Sequence, residues 1–116
     1  MPRRAVHPGE ILAEEIQQLG ISPTELSRCL NVPPNRVTQI IHGRRSITGD
    51  TALRLAHWFG NTAEFWLKLQ NAYDIRMAEK KAGREIAKLP VRQDGADTGT
   101  PQQAGGRNAP TGDRTA

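Results

Sequence analysis

The chain has a single cysteine among its 116 residues, which rules out an internal disulfide framework. His7, His42 and His57 show no ligand spacing with one another or with Cys29, so no metal site is expected. Cys29 falls beside the apolar stripe of a helix and is expected to be a small packing residue. No apolar run approaches the roughly 18 residues of a membrane span. Met1-Pro2-Arg3-Arg4 is not followed by the apolar core of a signal peptide, and a cytoplasmic protein is expected. The sequence also lacks a glycine-rich phosphate loop, a nucleophile motif and a paired-carboxylate site. No cofactor is implied, and an enzyme is disfavoured.

What the chain has is basic charge, net +4 with a pI near 9.8, which favours a polyanionic partner. The excess lies in residues 1–92; residues 93–116 carry three Asp against two Arg. That last stretch holds five Gly and two Pro and no aromatic, Leu, Ile, Val or Met, so it is expected to be a disordered tail behind one domain of residues 1–92, with its core in 7–82. At the other end, Arg3 and Arg4 belong to a loose basic arm with no specific contact expected.

The most informative stretch is SPTELSRCLNVPPNRVTQIIHG, residues 22–43. Ser22 with Glu25 three residues on is a capping box, and Pro23 occupies the first helical position, where a missing N–H is harmless. Leu26 and Leu30 give this short helix its buried stripe. Asn31 tolerates the left-handed conformation that ends a helix, and Pro33-Pro34 forces a turn and a restart. Placed on a wheel at about 100° per residue, Val37, Ile40 and Ile41 fall on one side of the second helix. Asn35, Thr38, Gln39 and His42 fall on the other, with Arg36 at the flank. A merely solvated face usually carries Glu and Lys. Asn and Gln can instead pair bidentately with adenine in the major groove, and Thr can touch a thymine methyl. Gly43 ends the helix. Arg44 and Arg45 follow, placed for phosphate, as are Ser22 and Thr24 at the start of the preceding helix. A plain polar surface on a helical hairpin is the competing reading.

The rest supplies packing partners, because two short helices alone bury too little to be stable. A first helix follows His7-Pro8-Gly9-Glu10, with Ile11, Leu12, Ile16 and Leu19 on one face and Gly20 at its end. A fourth starts at Thr48, carries Ala52, Leu55, Ala56 and Phe59 as its stripe, and stops at Gly60. Asn61 or Thr62 caps a fifth, the longest, running towards Lys81; Asn61 with Glu64 has the capping-box pattern. Phe65, Leu69, Ala72 and Tyr73 are assigned to the core with Trp66 at the edge. Leu67 and Ile75, on the other side, are either scattered surface apolar residues or a dimer interface. The interface reading is attractive, because two identical recognition helices one turn of DNA apart would read a palindrome. Gly83 either breaks or softens the helix before Pro90.

The hairpin resembles the helix-turn-helix of phage-repressor-like regulators. HPGEIL (residues 7–12), the hairpin, GRRSITGDTALRLAHWFG (43–60) and TAEFWLKLQNAYDIRMA (62–78) together resemble the HigA antitoxin family over nearly all of residues 7–82. That resemblance implies an all-α, five-helix, homodimeric domain of the XRE type that represses its own operon by binding palindromic operator DNA. It also implies neutralisation of a HigB-like toxin, a ribosome-dependent ribonuclease. The family's groove-reading positions fall on Pro34, Asn35, Thr38 and Gln39, with Arg36 nearby; Pro34 replaces the glutamine common in phage repressors and removes one contact. Asn31 stands where many repressors have Gly in the turn. Two alternatives stay open: a solitary regulator with no toxin, and a protein-binding adaptor that uses the same shape without DNA.

Overall fold

The computed structural model describes residues 4–93, which form five helices and no strand. They are α1 (Pro8–Leu19), α2 (Pro23–Leu30), α3 (Arg36–Ile41), α4 (Gly49–Phe59) and α5 (Ala63–Ala87). The all-α, five-helix reading holds. The expected tail lies outside the described residues, apart from Gln93.

Local chemistry sets each boundary. Ser22 Oγ accepts from Glu25 N at 3.1 Å and Glu25 Oε1 accepts from Ser22 N at 3.5 Å, completing the capping box. Asn31 closes α2 in the left-handed region at φ 57°, the one non-glycine residue with positive φ among those described. Thr48 caps α4 through Thr51 N. Thr62 caps α5, its Oγ1 accepting from Phe65 N at 3.1 Å. Asn61 does something else: its Oδ1 accepts from Trp66 Nε1 at 2.9 Å, so the capping-box pattern there is not used.

The core draws on every helix: Leu12 and Ile16 of α1, Leu26 and Leu30 of α2, Val37 and Ile40 of α3, Ala52 and Leu55 of α4 and Trp66 of α5, with Ile47 from the α3–α4 loop. Helix α3 packs against α1 and α2. Its approach to α1 is so close that a Cβ on Gly9 would overlap the Ile40 carbonyl.

The readings of Phe65 and Trp66, Ala72, Leu19, Cys29 and Arg4 are corrected. Trp66, not Phe65, is the core anchor of α5: Trp66 is 1% exposed and Phe65 43%. The buried face runs through Trp66 and Gln70, and a buried glutamine at its centre displaces the apolar pattern by one position. Ala72 is exposed for the same reason. Leu19, in the last turn of α1, projects past the core and is exposed. Cys29 is exposed rather than packed, since it lies on the α2 flank facing the groove beside Leu53 and Trp58. Helix α5 runs through Gly83 without a break, because one glycine weakens a helix by only about 1 kcal/mol. Residues 84–93 form a unit of their own, in which Lys88 N and Leu89 N bond to the carbonyls of Glu85 and Ile86. Arg4 is not idle in its arm but forms a two-pronged pair with Glu10, at 3.0 and 3.1 Å, which holds the Glu10 carboxyl below its ordinary range. Arg3 lies outside the described residues.

Candidate nucleic-acid interface

Helix α3 contributes its apolar side to the core, with Val37 and Ile40 fully buried. The other side is open. Pro34, Asn35 and His42 are exposed, and Thr38, Gln39 and Arg36 are half-buried. Asn35 is the residue before the first turn of α3 and makes no capping hydrogen bond, so its amide is left for another partner. His42 closes the helix at its far end. The polar side chains grouped by helical periodicity therefore share one outward face. Arg36 turns from that face towards α4, where Nη1 reaches Thr51 Oγ1 at 3.5 Å.

The hairpin is fastened by bonds that no sequence motif announces. Ser27, fully buried in α2, accepts from Val37 N at 3.1 Å through Oγ and so ties the start of α3 to α2. From α4, Arg54 Nη1 donates to the carbonyls of Leu30 at 2.9 Å and Asn31 at 3.4 Å, satisfying acceptors at the end of α2. Asp50 steadies Arg54 at 2.9 Å. These residues carry no apolar period and no cap signal, which is why sequence reasoning passes over them.

Beyond α3, Gly43 at φ 73° reverses the chain, and Arg44 N bonds to Gln39 O at 2.8 Å. Arg44 and Arg45 are exposed. Arg45 Nε donates to Gln39 Oε1 at 2.9 Å, joining a residue expected at phosphate to one expected at a base. The loop that carries both arginines is held at its far end by Gln70 of α5, a buried side chain whose Oε1 accepts from Ile47 N at 2.8 Å. Gln70 Nε2 in turn donates to Asp74 Oδ1 at 2.9 Å.

Behind the N-terminus of α1, His7 is buried and its Nδ1 accepts from Gly9 N at 2.9 Å. Its ring meets Tyr73 edge-on, with the ring centres 4.8 Å apart, and Gly43 lies beside it. Burial pushes the His7 pKa down, partly opposed by the carboxylates of Asp74 and Glu10. Ser22 and Thr24 are exposed at the start of α2; the Ser22 oxygen is engaged in the cap, leaving its hydroxyl proton to donate. Leu67 is half-buried against the chain's own core, and Ile75 is 59% exposed. Among the described residues no cluster of His, Cys, Asp or Glu is arranged to hold a metal, and no helix is long and apolar enough to cross a membrane.

Two helices locked across a tight turn, the second with an open polar face and arginines at its end, define a helix-turn-helix domain. The Helix-turn-helix family matches residues 12–67 of this chain. An addiction module antidote protein of the HigA family from Coxiella burnetii is 56% identical, covers 78% of this chain and 100% of its own, and superposes with a TM-score of 0.76. Virulence-associated protein I of Dichelobacter nodosus is 49% identical over 77 residues, 66% of this chain and 71% of that protein. The antitoxin HigA of Pseudomonas aeruginosa, solved with the higBA promoter, is 37% identical over 75% of this chain and 97% of its own, with a TM-score of 0.73. The chain belongs to the HigA family of helix-turn-helix antitoxins, a family of DNA-binding regulators and not of enzymes.

Proposed function

We propose that this antitoxin represses its own operon as a homodimer on a palindromic operator and neutralises a HigB-like ribonuclease toxin by protein contact. The open face of α3, with Asn35, Thr38 and Gln39 turned outward and Arg44-Arg45 at its end, carries the reading. In this account Asn35, Thr38 and Gln39 meet base edges in the major groove, with Pro34, Arg36 and His42 at the margins of the contact. Arg44, Arg45, Ser22 and Thr24 meet phosphates and fix the register. The Pseudomonas aeruginosa relative solved with a promoter supports the DNA side of the proposal. Two copies joined along α5 through Ile75, with Leu67 at the edge of the contact, would set two α3 helices for successive major grooves.

Co-purification from the native operon, followed by mass spectrometry, tests the toxin side. A small basic protein recovered in stoichiometric amount supports the antitoxin reading. Its absence, with promoter binding intact, leaves a solitary regulator. Absence of promoter binding leaves an adaptor.

A further inference from the structure

We infer that Arg45 is a specificity-determining residue: it orients the Gln39 amide so that α3 prefers adenine over guanine at one base pair of each half-site. The inference rests on the DNA-reading role proposed for α3. Gln39 is half-buried on the reading face, and its Oε1 accepts from Arg45 Nε at 2.9 Å. Its Nε2 has no partner among the described residues. An amide has one donor end and one acceptor end, and a half-turn about the last side-chain bond exchanges them. The major-groove edge of adenine offers an acceptor, N7, beside a donor, the N6 amino group; guanine offers two acceptors, N7 and O6. An amide locked with oxygen and nitrogen in fixed places can match the first pattern with both ends, but the second with only one.

Arg45 supplies that lock. Its Nε takes one lone pair of Oε1 and leaves the other for an adenine amino group, while Nε2 is free to donate to N7. The lock is itself placed by the backbone. Gly43 turns the chain at φ 73°, Arg44 N is bonded to Gln39 O at 2.8 Å, and Ile47 is anchored to Gln70 at 2.8 Å, so the loop holds Arg45 beside Gln39 from both ends. A lysine at this position would keep the positive charge but lack the directed N–H of the guanidinium, so charge and orientation can be separated.

The test measures the affinity of the full chain for a duplex of its own promoter and for a scrambled duplex of equal length, with variants Arg45→Lys, Gln39→Ala, the double variant and Arg44→Ala, each checked by thermal unfolding. Selection from a duplex library randomised over the promoter half-site reads the base preference. Arg45→Lys is expected to lower the ratio of promoter to scrambled binding about tenfold. It is also expected to erase the preference for adenine over guanine at one base pair per half-site, and Gln39→Ala to produce a loss that the double variant does not exceed. Arg44→Ala is expected to weaken both duplexes in step. The inference is overturned if Arg45→Lys weakens both duplexes in step, if the losses in the double variant add, or if the adenine preference survives. Wild-type protein that does not distinguish the two duplexes at all overturns the DNA-reading role and this inference with it, an outcome visible before any variant is compared.

Discussion

Gln70 of α5 accepts the backbone N–H of Ile47 through a buried hydrogen bond of 2.8 Å, so the helix farthest along the chain holds the loop that carries Arg44 and Arg45. Ile47 is buried and its N–H makes no other hydrogen bond among the described residues, and an unpaired buried donor costs about 1–3 kcal/mol. Gln70→Leu is therefore expected to lower stability by about that amount and to weaken promoter binding beyond the loss of folded protein. Thermal unfolding and a binding titration well below the melting temperature separate the two effects.

Ser27 makes the corresponding tie inside the hairpin, where its Oγ accepts from Val37 N at 3.1 Å. Ser27→Ala keeps the helix but orphans that N–H, with an expected loss of about 1–3 kcal/mol in urea unfolding. Amide exchange at Val37 is expected to accelerate in the same variant.

Gly9 is fixed by space rather than by backbone conformation, since a Cβ would overlap the Ile40 carbonyl. Gly9→Ala improves helix propensity on paper. It is nevertheless expected to destabilise the domain by about 1–3 kcal/mol, because α1 and α3 must part to admit the methyl group.

The buried His7 gives a pH dependence whose sign follows from its environment. Burial holds its folded pKa below the unfolded value of about 6.5, with Asp74 and Glu10 opposing. Between the two values the unfolded chain binds more protons, so stability rises with pH there. The contribution is complete above about pH 6.5 and is lost as the pH falls below it. Protonation also removes the Nδ1 acceptor for Gly9 N. A plot of melting temperature against pH is expected to fall more steeply on the acid side for the wild type than for His7→Asn, which retains a capping acceptor without a titrating ring.

Much of this fold is legible in the sequence because its signals are local. Ser22 with Glu25, Asn31, Pro33-Pro34 and Gly43 mark the hairpin by backbone chemistry that acts within a few residues, and the open face of α3 follows from its period. What escapes is long-range and polar. Ser27, Arg54 and Gln70 look like ordinary surface residues until the fold presents each with a backbone group to satisfy. The buried Gln70 also explains why the stripe of α5 reads one position out of place, on Phe65 instead of Trp66. The link between Arg45 and Gln39 escapes for a related reason: the sequence places the two in separate roles, and only the turn at Gly43 brings them together.

The claim at the centre of this account is that α3 reads DNA sequence through its outward polar face. A gel-shift titration of the protein against its own promoter, with Asn35→Ala/Gln39→Ala beside the wild type and a scrambled duplex as reference, tests it most directly. The account predicts that the double variant stays folded and loses most of its preference for the promoter, at about 1–3 kcal/mol for each base contact removed. Promoter binding that survives both substitutions at wild-type affinity would contradict it.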